Sequence, residues 1–177
     1  ADVRDLGADA IIVATGSAPR TDGFQIHAPE YRVPGIDARH VVSSHDVLAG
    51  GARAADARAV VFDGTGHYEA IAAAEHLIDA GHSVTWVTGH NAFAPRLDFS
   101  FIVEPALERL ARGGRLRVLT RTLLAAIAAD HVVVAPLYAR QQVEQVAAGL
   151  VVVVAQNVPN RDLVDPLAGD ARLLQDL

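Results

Sequence analysis

The sequence contains no cysteine, no methionine and no lysine. Without cysteine the chain has no disulfide, no thiolate nucleophile and no thiolates for zinc or an iron–sulfur cluster. Without lysine it has neither a Schiff-base amine nor the phosphate-gripping lysine of a Walker loop, since all 15 basic residues are Arg. The missing methionine leads us to expect a processed N-terminus or a piece of a longer polypeptide. Long hydrophobic runs are absent too: stretches such as Leu150–Ala155 fall far short of a membrane span. The apolar run near the N-terminus, from Ala10 to Ala14, is too short for a signal sequence. A net charge of −6 gives no electrostatic footprint for nucleic acid. The expectation is a cytoplasmic protein with no membrane and no nucleic-acid partner. What is present is ordinary folded-domain material: 177 residues, 51% hydrophobic and 20% charged. A chain of that length buries roughly 70% of its unfolded surface without covalent staples.

The pattern along the chain is α/β. Ala10 to Ala14 is an apolar run closed by Thr15, Gly16 and Ser17, and reads as a buried strand. Residues 18–39 hold Pro19, Pro29 and Pro34 and read as an irregular connection, long for a loop inside one domain. A short strand at His40–Ser43 leads into a brief helix capped by Ser44. The clearest unit follows. Arg58–Asp63 is a strand, Gly64-Thr65-Gly66 a tight turn, Tyr68–Ala80 an alanine-rich helix closed by Gly81, and Ser83–Thr88 the next strand. Such a βαβ unit implies parallel strands and a right-handed crossover. A helix with Pro105 in its first turn and a third strand at Leu116–Thr120 continue the pattern. Leu123–Ile127 and His131–Ala135 read as a hairpin, with Val143–Val146 beside it, and Gly149–Ala155 as another fully buried strand.

The glycine turn is the chemical candidate. Gly64 and Gly66 sit between a strand and a helix, the context of a dinucleotide fingerprint. There the first glycine makes the turn, the second admits a pyrophosphate, and the helix start supplies N–H groups and positive potential. The third glycine position is Glu69, which adds bulk and a negative charge and is expected to weaken binding. Where an acidic residue should hold the ribose, the sequence reads Val87-Thr88-Gly89-His90. The turn is therefore either a nucleotide site or a packing device. Asp63, ending the strand, could orient a ribose or bond the turn amides. His67 and His90 fall at the carboxyl ends of adjacent strands, as anion contacts or as solvated loop residues. Arg109, Arg112, Arg115 and Arg117 form either a solvated rim or a phosphate or partner contact, and no spacing suggests a metal site.

The segment ADAIIVATGSAPR resembles the "ATG" strand of the FAD-binding domain in flavoproteins with two dinucleotide-binding domains, and LVVVVAQNVPNRDL resembles its return strand. The stretch TGHYEAIAAAEHLIDAGHSVTWVT after VVSSHDVL is similar to the C-terminal part of trimethylamine and histamine dehydrogenases, grouped with 2,4-dienoyl-CoA reductase among the NADH:flavin oxidoreductases. The resemblance runs from Ala10 to about Leu163 and implies a Rossmann-like parallel sheet with a small antiparallel appendage, flanked by strands of a second, incomplete FAD-like domain. It divides the chain into the end of that domain and a crossing (1–39), a nicotinamide-type domain (40–147), and a return strand with tail (148–177). It also implies a fragment: the parent would carry an FMN barrel and a four-iron cluster, with FAD, NAD(P)H or ADP as candidates for the nucleotide-binding-like part. The isolated chain is expected to hold no cofactor, no metal and no catalytic residue. Its cofactor-facing candidates are Gly64, Thr65, Gly66, His67 and Glu69, with Thr15 and Gly16 of the "ATG" strand. Its expected partners are the absent barrel and FAD-domain half. A homodimer through the apolar strands at 10–15 and 150–155 is the candidate assembly. The rival reading is a degenerate Rossmann scaffold or dimer-packing module with no nucleotide.

Overall fold

The computed structural model describes residue 7 and residues 9–51, 54 and 56–167. These residues fall into two compact units, one running up to Ala18 and resuming at Asn157, the other spanning Pro19–Gln156. In the first unit β1 (Ser17–Ala18) pairs antiparallel with β10 (Val158–Pro159), and a short helix α4 (Val164–Leu167) follows.

The larger unit is built on a five-stranded parallel sheet. Its strands are β2 (Val41–Ser43), β3 (Arg58–Asp63), β4 (Ser83–Thr88), β5 (Leu116–Leu119) and β9 (Leu150–Val154). The order is β2-β9-β3-β4-β5. Three helices, α1 (Ser44–Leu48), α2 (Tyr68–Asp79) and α3 (Val103–Ala111), connect them. A three-stranded antiparallel sheet follows β5: β6 (Thr122–Ile127), β7 (His131–Pro136) and β8 (Glu144–Ala147), in that order. The expected Rossmann-like sheet and antiparallel appendage are both present.

The parallel strands alternate between two cores, as the period-2 geometry of a strand requires. Ala59, Val61, Val84, Trp86, Leu150, Val152 and Val154 join a cluster with Ala70, Ala74, Leu77 and Leu110 of the helices. Val60, Phe62, Val87, Val151 and Val153 join a second cluster with Leu124, Ile127, Val132 and Val146 of the antiparallel sheet. Helices on one face and a sheet on the other account for the apolar side chains that β3, β4 and β9 turn to both faces.

Local signals hold with small shifts. Ser43, rather than Ser44, caps α1: its hydroxyl accepts from the Asp46 N–H at 3.2 Å, while the Asp46 carboxylate accepts from the Ser43 N–H at 2.9 Å. The helix before Gly81 ends at Asp79, with Ala80 as its cap.

Three expectations are corrected. Residues 10–16 form no strand, and Ile12 is 92% exposed. Apolar character alone does not make a strand without a neighbour to complete its ladder, and only Ser17–Ala18 of this segment find one. The strand at 150–154 does not lie with a flanking domain. It pairs in parallel with β2 on one side and β3 on the other, and all five of its residues are buried. It offers no face for self-association. Finally, residues 19–39 are no crossing between domains but a strap packed on the antiparallel sheet, so the larger unit reaches from 19 to 156 rather than from 40 to 147. Val33 and Ile36 of the strap enter the second core. Ile127 donates its N–H to the Pro34 carbonyl at 2.8 Å. Gln25, 2% exposed, clamps Leu124 on both sides: its amide donates to the Leu124 carbonyl at 2.9 Å and its carbonyl accepts the Leu124 N–H at 2.9 Å.

That clamp gives a test. Gln25→Ala would leave a buried donor and a buried acceptor unpaired, and each such orphan costs about 1–3 kcal/mol. We expect urea unfolding to show a loss of about 2–4 kcal/mol. A loss below about 0.5 kcal/mol, the usual range for surface changes, would mean that the strap is not integral to the unit.

Candidate functional site

The glycine turn lies at the carboxyl end of β3, where the strand order reverses between β9 and β4 and where open α/β sheets place their ligands. Gly64 donates its N–H to the Val154 carbonyl at 2.7 Å, and a Cβ at this position would sit 3.0 Å from that oxygen. Gly66 adopts φ +69°, the left-handed region that glycine enters without strain. These two positions need glycine for backbone reasons alone.

Asp63 sits beneath the turn and is fully buried. Its Oδ1 accepts three hydrogen bonds, from the Gly66 N–H at 2.7 Å, the Thr65 N–H at 3.1 Å and the Thr65 hydroxyl at 3.2 Å. Its Oδ2 is buried without a partner. Burial pushes the Asp63 carboxyl up to about 6; the turn amides, the Thr65 hydroxyl and nearby His67 pull the other way without overcoming it. Of the two roles open to Asp63, the structure shows the bonding of turn amides.

The space above the turn is filled by side chains. A Cβ on Gly66 would lie 3.1 Å from His90 Nε2 and 3.1 Å from Pro95 Cδ. His90 Nε2 is itself buried and unpartnered. His27 of the strap packs against Gly89 and meets His90 edge-on, ring centroids 5.0 Å apart. Burial lowers the affinity of both imidazoles for a proton; His90 lowers that of His27 further, while for His90 the Gly64 backbone pulls the other way and Arg96 adds to the lowering.

Of the sequence candidates, Gly64, Thr65, Gly66, His67 and Glu69 are brought together at this turn. His67 precedes α2 without capping it and stacks edge-on with Tyr68 at 4.7 Å. Glu69 stands half-buried in the first turn of α2, where its charge suits the positive end of the helix dipole. Thr15 and Gly16 belong to the other unit. There the Thr15 hydroxyl donates to the Asn160 carbonyl at 3.0 Å, the Asn160 amide to the Thr15 carbonyl at 2.8 Å, and the Asn160 N–H to the Gly16 carbonyl at 3.0 Å. The arginines disperse into ion pairs: Arg109 with Glu75, Arg112 with Glu108, Arg117 with Glu144. His27 and Pro95 escaped the sequence reading, because 39 and 29 residues separate them from Gly66 and no spacing rule joins them.

No family model matches the chain. Over 84 residues it is 37% identical to a multifunctional alkene reductase/demethylase from Caballeronia cordobensis, which takes in 48% of this chain and 11% of that protein. Its fold matches that of the 6-hydroxypseudooxynicotine amine oxidase of Pseudomonas geniculata N1 with a TM-score of 0.86, at 28% identity, over 98% of this chain and 26% of the other. Histamine dehydrogenase from Rhizobium sp. 4-9 matches at TM-score 0.78 and 21% identity, over 90% of this chain and 24% of its own, a likeness of fold. The chain resembles the flavoproteins of the trimethylamine dehydrogenase group. It spans about a tenth of the curated relative and about a quarter of the two solved chains. In this likeness the "ATG" and "PN" segments do meet, through Thr15 and Asn160.

The amides of Thr65 and Gly66 already serve the Asp63 carboxylate, and His90 and Pro95 pack against Gly66. Among the described residues no group of three or more metal-ligating side chains converges, and no helix is long and apolar enough to cross a membrane.

The raised Asp63 pKa has a measurable consequence. The folded protein holds this proton up to about pH 6, while the unfolded chain releases it near 3.8. Its stabilising contribution is therefore complete below pH 3.8 and is lost as pH rises through 6. The loss amounts to about 3 kcal/mol at most. Asp63→Asn abolishes the titration. Between pH 4 and pH 7.5 the stability difference between variant and parent should move by about 2–3 kcal/mol in the variant's favour, measured by urea unfolding at both values. A difference that stays constant across this range would show that Asp63 is not buried as an acid.

Proposed function

We propose that this chain is the C-terminal nucleotide-binding-like portion of a flavin-dependent oxidoreductase of the amine dehydrogenase or enoyl reductase type, working in the cytoplasm and without turnover by itself. The observation that carries the reading is the fold match over nearly the whole chain to an amine oxidase, supported in sequence by the alkene reductase/demethylase. The Pro19–Gln156 unit would be the nicotinamide-type domain, and the β1–β10 unit the flanking part of the FAD-like domain. FMN and a four-iron cluster would belong to other parts of the protein, the cluster necessarily so, because this chain has no cysteine to hold one. The barrel and the remaining FAD-like half would be its partners.

Within that protein the glycine turn acts as a packing device. The Asp63 carboxylate on the turn amides favours this over a site for NAD(P)H or ADP, and gives Asp63 rather than Glu69 the larger part in excluding phosphate. Titration calorimetry of the parent, Glu69→Gly and Glu69→Gln with ADP and NADH separates the two. We expect no binding below millimolar ligand in any of the three, and no flavin absorption band in the purified chain. Stepwise tightening from parent through Gln to Gly would restore the turn as a nucleotide cradle. A flavin retained through gel filtration would overturn the assignment of cofactor chemistry to other parts.

A further inference from the structure

We propose that the Pro19–Gln156 unit carries a binding site for a small aromatic carboxylate, formed between the strap and the β6–β7 hairpin and separate from the glycine turn. A cavity of about 150 Å³ lies there, with Ala28, Leu123, Leu124 and Ala135 as its buried apolar wall and Tyr31 and Arg140 as its polar lining. That volume is about that of an engineered apolar cavity that takes up benzene, so one ring or a short branched chain fills it. The inference does not depend on the oxidoreductase reading.

Three observations make this a preformed site. The Gln25 clamp on Leu124 fixes the strap against the hairpin on one side of the cavity. The Tyr31 hydroxyl donates to the Ala125 carbonyl at 2.6 Å and fixes the other. Ala125 stands where the β6–β7 register shifts, between Leu124 and Ala126. A bulge of this kind re-aims side chains and carbonyls next to binding sites.

Charge selects the ligand. Arg140 is the cationic group of the lining, and its side chain is 51% exposed. Its guanidinium is only lightly engaged: one NH2 donates to the His27 carbonyl at a long 3.3 Å, and Glu30 Oε1 is 4.0 Å from NH1, the outer limit of an ion pair. A guanidinium offers five donors in a planar fork that matches a carboxylate bidentately. An apolar wall the size of one ring beside a fork with donors to spare fits a benzoate-like anion. A phosphate fits poorly, because it would place its bulk of oxygens against Leu and Ala.

The test uses benzoate, benzyl alcohol and acetate as probes, read by titration calorimetry and by amide chemical shifts of Leu123, Leu124 and Ala135. Benzoate should bind in the millimolar range or tighter and shift those amides. Benzyl alcohol keeps the ring without the charge, and acetate the charge without the ring; each should bind at least about tenfold more weakly, the first for want of a charge-assisted contact and the second for want of the ring's apolar burial. Arg140→Gln should weaken benzoate by about tenfold or more while leaving benzyl alcohol unchanged. Ala135→Leu, which fills the cavity, should weaken benzoate and benzyl alcohol together. The proposal fails if benzoate leaves those amides unmoved, if Arg140→Gln binds it equally well, or if acetate matches benzoate, which would indicate a bare surface contact.

Discussion

A parallel sheet whose central strands are apolar on both faces cannot stand alone in water, and most of this molecule follows from that constraint. β3 is buried at five of its six positions, from Ala59 to Asp63, and β9 at all five. One face can be covered by the crossover helices that parallel connection requires. The other face needs a separate cover, because every helix of the sheet packs in the first cluster. The antiparallel sheet supplies it through Leu124, Ile127, Val132 and Val146, and the strap adds Val33 and Ile36. The prolines of the strap, unsuited to a ladder, are no hindrance in a segment that works by side-chain packing and by the Gln25 clamp.

The same constraint shapes the turn. Burying β3 through to its last residue carries Asp63 into the interior, where an isolated carboxylate is costly. The two nearest donors are the amides that a dinucleotide fold reserves for phosphate. Once Oδ1 takes them, the turn is satisfied without a ligand, and an apolar and imidazole lid of Pro95, His90 and His27 can close over it. The glycines stay for reasons internal to the chain: Gly64 for its approach to Val154, Gly66 for its backbone conformation. A fingerprint glycine therefore reports a tight strand-to-helix turn first, and a ligand only when the amides beside it are free.

This explains what could be read from the sequence. The βαβ unit, the hairpin and α3 were legible because each is signalled within a few residues, by period, turn or cap. β9 was legible as a buried strand but not as the neighbour of β3, since LVVVV carries no record of which strands flank it. The strap is not legible because its contacts join pairs nearly a hundred residues apart, such as Gln25 with Leu124. At 10–14 the pattern points to a strand and the structure has none, because a ladder needs a partner as well as a pattern. At the site, Asp63 and His90 stood out by position, whereas His27 and Pro95 arrive through tertiary packing alone.

Two acidic residues flank the turn, and their locations decide their effects. Glu69 is half-buried at the start of α2, where water and salt screen it and the helix dipole welcomes it. A unit charge 4 Å from a phosphate would oppose it there by about 1 kcal/mol in water and about 4 kcal/mol at an effective dielectric of 20. Asp63 acts without needing distance at all. Its oxygen is already on the donors at 2.7 and 3.1 Å, so a phosphate would have to displace it from both amides and leave it in the interior with only the Thr65 hydroxyl as partner. Stranding a buried charge is more costly than approaching a half-buried one. The side chain that would oppose a phosphate most strongly is thus the one that holds the turn together, so packing and the proposed exclusion rest on a single residue.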